Sequence, residues 1–309
     1  MSIYFKNILG HQKQLDLLEE DLLQGRIAHA YLFAGPADIG KFTLAKAWAK
    51  AIQTREMDAE KAFQTAALID RGIHGDTLIF PKDPEEESIK IAEIRSIIGK
   101  LQLSADSQRR IMVMEDIDRL TPEAANALLK ILEEPPGDVL YIFTSSHPHS
   151  LMETILSRVR RVDFQIMPDD ELHNALKNRY RLADEKTLDR VSRISLGRIG
   201  KAIKLMENLE QLEAYQDVYD QIKSFLSAQD VQAGFSFIAQ IHNDPVLTGI
   251  FLELAFVALR EDFQAALAKG NKPDLEKTLA RIEKLVKIRE LAETNTNSRL
   301  LLENFILEL

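Results

Sequence analysis

The sequence predicts an α/β domain built on a parallel sheet, then a small helical region, then an all-α C-terminal domain. Three observations predict this. In the first half, short apolar runs suited to buried strands alternate with amphipathic helical stretches. Strand-like runs stop after about Phe164, and from about Gln211 onward the pattern is helical throughout. The implied boundaries are 1–165, 166–208 and 209–309.

Taken in order, Ala30-Tyr31-Leu32-Phe33 reads as a buried strand, and a Gly-Pro turn leads into a helix from about Lys41 to Gln53. Ile94, Ile97, Ile98 and Leu101 fall at i, i+3, i+4 and i+7, one face of a helix. Ile111–Met114 and Val139–Thr144 read as two further buried strands. The helix between them is well marked, with Thr121 able to cap it, Pro122 suited to its first position, and Pro135-Pro136 ending it. Pro168-Asp169-Asp170-Glu171 opens another helix, its acids favoured by the helix dipole. Leu182–Glu207 reads as two helices split at Ser195-Leu196-Gly197. Near the C-terminus, one apolar stripe joins Leu275, Leu279, Ile282 and Val286, and a second joins Leu301, Leu302, Phe305, Ile306 and Leu309.

Composition narrows the chemistry. The 309 residues are 45% hydrophobic and 28% charged, an ordinary globular balance. There is no cysteine, which excludes disulfides, thiolate metal sites and cysteine nucleophiles. The seven histidines show no paired ligand spacing. A net charge of −9 gives the whole molecule no pull toward nucleic acid, so any DNA contact is local or made through partners. No apolar run approaches the roughly 20 residues of a membrane span, and the first residues lack a secretory layout, so a cytoplasmic protein without membrane association is expected.

Gly35-Pro36-Ala37-Asp38-Ile39-Gly40-Lys41 follows a strand and opens a helix, the context of a phosphate loop. Its glycines let backbone N–H groups wrap phosphate oxygens, and its lysine reaches the outer phosphates. A working loop needs Ser or Thr next, to hold Mg²⁺, and Phe42 stands there instead. Thr43 lies about 100° further round the helix, and Asp38 adds negative charge to the loop. A strand–turn–helix corner that uses glycine for geometry alone would look similar. Since Gly35, Gly40 and Lys41 remain, weak ATP or ADP binding stays open. Downstream, Glu115-Asp116 ends a strand in the inverse of the usual Asp-Glu order, exchanging the metal-organising and water-activating acids.

From Glu115-Asp116-Ile117-Asp118-Arg119-Leu120-Thr121-Pro122 through Ala127-Leu128-Leu129-Lys130-Ile131-Leu132-Glu133-Glu134-Pro135-Pro136, the chain resembles the gamma/tau and delta-prime family of bacterial clamp-loader subunits. The likeness continues at His29–Phe33, Ser88–Ile91, Thr144–Pro148 and Thr154–Arg158, and at the C-terminal Asn295–Glu303, which looks like the end of that family's collar domain. It implies an AAA+ fold with a helical lid and collar. Ser157-Arg158-Val159 matches the Ser-Arg-Cys that supplies an arginine finger to the neighbouring subunit's ATP. An intramolecular salt bridge is the plainer reading of the same arginine. The family's four-cysteine zinc module has Glu60, Phe63 and Ala66 at three of its cysteine places, so no zinc is expected. Gly200 stands where hydrolysing relatives carry a sensor arginine. Ser145 and Ser146 occupy the region of another nucleotide sensor and serve equally as strand-end hydroxyls.

The resemblance therefore implies a delta-prime-like stator of the DNA polymerase III clamp loader. Its own ATP site would be degenerate, and it would act with gamma/tau-like and delta subunits, the beta sliding clamp and primed DNA. The alternative within the family is a gamma/tau-like motor, against which Phe42, the exchanged acids and Gly200 stand together. An adaptor outside replication, such as a helicase loader, fits the long match less well.

Overall fold

Apolar runs flanked by turn residues form the strands of the computed structural model, which describes residues 3–81, 88–101, 109–228, 230–292 and 298–307. The first part runs α1 (Gln12–Gln24), β1 (Ala30–Ala34), α2 (Lys41–Gln53), α3 (Ala59–Asp70), β2 (Thr77–Phe80), α4 (Ile91–Leu101), β3 (Arg110–Met114), α5 (Pro122–Glu133), β4 (Val139–Ser145), α6 (Glu153–Leu156) and β5 (Arg160–Asp163). All strand pairs are parallel, in the order β2-β3-β4-β1-β5.

β1, β3 and β4 are buried along their whole length because helices cover both faces of the sheet. Strand alternation divides their side chains between two cores. Leu32, Met112, Met114, Tyr141 and Phe143 pack with Ile94 and Ile97 of α4 and Leu128 and Leu132 of α5. Tyr31, Phe33, Ile111, Val113, Leu140 and Ile142 pack with Leu15 and Leu18 of α1 and Leu44 and Trp48 of α2. Each large apolar side chain fully buried in this way contributes about 1.5–3 kcal/mol. Thr121 caps α5 by accepting from the Ala124 N–H at 3.3 Å.

Two strands carry little sequence signal. β5 presents Arg160, Arg161 and Asp163 to solvent and buries only Val162, as an edge strand paired on one side does. β2 forms the opposite edge.

The remaining helices are α7 (Asp169–Arg179), α8 (Glu185–Ser195), α9 (Ile199–Glu207), α10 (Leu209–Ala228), α11 (Val231–Ile241), α12 (Pro245–Lys269), α13 (Lys272–Ala292) and α14 (Ser298–Leu307). The chain separates into two compact units, Met1–Ala175 with Gly197–Lys201, and Leu176–Leu196 with Ala202–Leu309. In the second unit, Phe225, Phe237, Phe251 and Phe305 join α10, α11, α12 and α14 through ring contacts of 5.7–6.4 Å.

The stripe read on α13 is corrected. Leu279 and Val286 are 46% and 44% exposed, whereas Thr278, Leu285 and Ile288 are buried, on a flank roughly 100° round the helix. Apolar residues occupy both flanks, so periodicity fixes the helix without fixing which side faces the core. On α14, Leu302, Phe305 and Ile306 are buried as expected. Leu309 and Asn295–Asn297 lie outside the described residues.

Candidate functional site

β1 lies inside the sheet between β4 and β5 and delivers its C-terminal end to the phosphate loop, where the chain turns sharply into α2. Gly35 adopts φ +152°, Asp38 φ +58° and Gly40 φ +91°. At Gly35 a methyl group would sit 2.4 Å from the Phe164 carbonyl oxygen, so only glycine fits. Gly40 serves as the N-cap of α2, and Lys41 begins the helix.

Lys41 is buried and its ammonium turns back into the loop. Nζ donates to the carbonyls of Gly35 at 2.8 Å and Pro36 at 2.6 Å, and to Ser146 Oγ at 3.2 Å. Burial pushes its pKa below the usual lysine range, opposed by the charges of Asp116, Asp118, Asp38 and Glu115, in that order. Four carboxylates around one ammonium make a poor setting for a polyphosphate.

Other parts of the first unit tie down the loop's carbonyls. His11 Nε2 donates to Ile39 O at 2.6 Å, and the Lys201 N–H donates to Asp38 O at 3.1 Å. A methyl at Gly200 would lie 2.6 Å from the Asp38 oxygen, so the place of the sensor arginine has no room for a side chain. Phe42 is half-buried against the core with Lys46 over its ring, and Thr43 faces solvent. Phe42 has no oxygen and Thr43 turns its hydroxyl to solvent, so nothing at the start of α2 would hold Mg²⁺ beside a polyphosphate, and these residues do not fit a Mg²⁺–nucleotide. Glu60 and Phe63 are exposed on α3 and Ala66 is buried, and none of the three can supply a thiolate.

The exchanged acids behave differently from each other. The Asp116 N–H donates to Thr144 Oγ1 at 2.9 Å, with the residue at φ +47°, and its carboxylate accepts from Ser146 Oγ at 3.5 Å. Burial, with the neighbouring Asp118 charge, raises the Asp116 pKa. Glu115 acts on Lys41 only as the weakest of the four charges. The sequence reading passed over Asp118. Its Oδ2 accepts from the Ser146 N–H at 3.2 Å and faces His147 Nδ1 at 3.3 Å, while Oδ1 is buried with no hydrogen-bond partner among the described residues. The signal available was a third acid at the same strand end. Ser145 Oγ is likewise buried and unpartnered among these residues.

Arg158 lies outside this cluster, in the turn between α6 and β5. Its guanidinium donates to Thr154 O at 2.9 Å and pairs with Glu133 Oε1 at 2.8 Å, with 35% and 52% of the two side chains exposed. The intramolecular salt bridge is therefore present, and it is shallow. Arg109 pairs with Asp138, Arg110 with Asp76, Arg160 with Asp21 and Arg161 with Asp163.

A pH dependence follows from the loop's packing. Burial holds His11 and His74 below the usual 6.5. The unfolded chain therefore binds protons that the fold excludes. Their contribution is complete above 6.5 and declines as pH falls through the folded values. Asp116, raised, acts in the opposite sense at acid pH. The melting temperature is expected to drop between pH 7.5 and 5.5 less in His11→Gln than in wild type, because glutamine retains a donor for Ile39 without titrating. Equal drops in the two thermal melts would remove His11 from this account.

A family model described as DNA polymerase III, delta subunit, matches residues 10–168. A Bacillus subtilis DNA polymerase III subunit delta' is 26% identical over 329 residues, covering 100% of this chain and 99% of that protein. A Pseudomonas aeruginosa subunit delta' is 36% identical over 135 residues, 42% of this chain and 41% of its own length. A Bacillus subtilis subunit tau is 30% identical over 162 residues, 52% of this chain and 29% of its own. The chain thus spans less than half the length of these last two. Among solved structures, a gamma subunit-related protein of DNA polymerase III from Thermotoga maritima has a similar fold, with TM-score 0.52 and 20% identity over 94% of this chain and 97% of that one. The α/β unit has the AAA+ fold that the resemblance implies.

Proposed function

Because the chain belongs to the family described as DNA polymerase III, delta subunit, we propose that it is a delta-prime-like stator of the clamp loader. On this reading it leaves ATP turnover to an adjacent gamma/tau-like subunit and lends that subunit Arg158 in trans. The assembly, with a delta subunit, places the ring-shaped beta clamp on primed DNA. Residues 166–208 serve as the lid and 209–309 as the collar that joins the subunits. The cytoplasm is the compartment for this work. Among the described residues no helix is long and apolar enough to cross a membrane.

The observation that carries the reading is the state of the phosphate loop. Its lysine is committed to Gly35, Pro36 and Ser146, four acids act on it, and Phe42 holds the place of the magnesium-binding hydroxyl. Arg158 supports the other half. It sits in an exposed turn, in an ion pair of a kind worth about 0–1 kcal/mol, which a triphosphate in a neighbouring site readily outbids.

Titrating the isolated chain with ATP, with and without Mg²⁺, tests this. The expected result is an affinity that Mg²⁺ does not improve and no turnover above background. Magnesium-dependent hydrolysis by the chain alone would favour the gamma/tau-like motor, the reading for which the 30% likeness to a tau subunit speaks.

A further inference from the structure

On α13, Lys277, Arg281 and Lys284 recur at i, i+4 and i+7 and so share one flank of the helix. With Ala280, and Phe305 of α14, they line a cavity of about 150 Å³. A single water needs only roughly 10–15 Å³ of such space, so there is ample room for one small anion. Three cations line it, with no acid among the described lining residues.

Arg281 is the unusual member. Its Nε and Nη2 are buried and have no hydrogen-bond partner among the described residues. These two nitrogens form one edge of the guanidinium, spaced to donate two parallel hydrogen bonds to a carboxylate or phosphate. Burial lowers the Arg281 pKa from its usual value, opposed by the Asp262 charge, and the Asp262 carboxylate is itself engaged by Lys223 Nζ at 2.8 Å. Lys284 is anchored beside α14, where its Nζ donates to Asn304 O at 3.3 Å. Arg281 as a residue is only half-buried, but two buried nitrogens without acceptors destabilise a fold until something supplies them.

We propose that this cavity binds a small oxyanion of the phosphate class, held by Arg281 and flanked by Lys277 and Lys284. The site belongs to the helical C-terminal unit and stands independently of the role given to Arg158.

The test is titration of the full chain with inorganic phosphate, by calorimetry and thermal unfolding, against chloride at matched ionic strength. One saturable phosphate per chain is expected, displaced by sulfate. At ten times its Kd, phosphate should raise the folded-to-unfolded ratio about tenfold. Arg281→Met should weaken binding about tenfold or more, since it removes a bidentate charge-assisted contact. In phosphate-free buffer the same variant should melt higher than wild type, because two buried donors without acceptors have gone. The double variant Lys277→Gln with Lys284→Gln keeps Arg281 in place and should lose affinity severalfold while remaining folded. The proposal is overturned if phosphate acts no differently from chloride. Binding that survives Arg281→Met overturns it too, because such binding belongs elsewhere, the phosphate loop included. So does a lower melting temperature for that variant without phosphate, since it would mean the guanidinium is already satisfied.

Discussion

Replacing Arg158 by Ala is expected, on the proposed finger role, to lower ATP hydrolysis by roughly 10³-fold or more at one neighbouring site, because a guanidinium delivered in trans would offset charge that develops on the transferred phosphoryl group. The measurement is single-turnover hydrolysis by a complex of this chain with a gamma/tau-like subunit, delta, clamp and primed DNA. Complex formation should be unchanged, since the polar partners of Arg158 among the described residues are Glu133, Thr154 and Ser157 of its own chain. Arg158→Lys should not restore the rate, because an ammonium lacks the planar fork. Glu133→Gln provides the contrast. It removes an ion pair worth at most about 1 kcal/mol, so the rate should move by less than about fivefold. Full activity in the Arg158→Ala assembly would end the finger reading.

The largest effect on stability is expected at Gly35. Alanine there would force a methyl to within 2.4 Å of the Phe164 carbonyl oxygen, at a φ of +152° that L-residues rarely adopt. Neither neighbour can give way easily. The Gly35 N–H donates to Ser145 O at 3.2 Å, and the Phe164 N–H donates to Ala34 O at 2.7 Å. The strain and the clash together should destabilise the fold by about 3 kcal/mol or more, measured by denaturant unfolding of the full chain. Gly25→Ala is the control, at φ +67° with nothing within 4 Å of the added methyl, and should cost only about 1 kcal/mol. Equal losses at the two positions would defeat the steric account.

Legibility followed burial. β1, β3 and β4 stood out in the sequence because helices cover both faces of the sheet there, which requires unbroken apolar runs. β5 shows a single buried residue among three charged ones, too little for a pattern. The α2 boundaries, Lys41 to Gln53, were readable from the glycine turn before them and the run of apolar spacings within. α13 was readable as a helix but not in its orientation, since leucine and isoleucine populate two flanks and only tertiary packing selects one.

In the candidate site, local motifs were legible and long-range contacts were not. Gly35, Gly40 and Lys41 announce themselves by spacing. The bond from His11 to Ile39 spans 28 residues and leaves no trace in the sequence. Gly200 could be recognised as a missing arginine, whereas the oxygen of Asp38 pressed against it could not. Reading Glu115 and Asp116 as a pair hid Asp118, which holds Ser146 by its backbone N–H beside Lys41.

The strap formed by Gly197–Lys201 bears on where the N-terminal half ends. It belongs to the same compact unit as the sheet, although the polypeptide spends residues 176–196 elsewhere before supplying it. A fragment severed after Ala175 would keep every strand and yet forfeit the Lys201 bond to Asp38, the bond from Met167 N–H to Gly197 O, and the buried Ile199. Autonomy of the α/β half thus depends on two stretches of sequence, and its minimal excisable piece extends to Lys201.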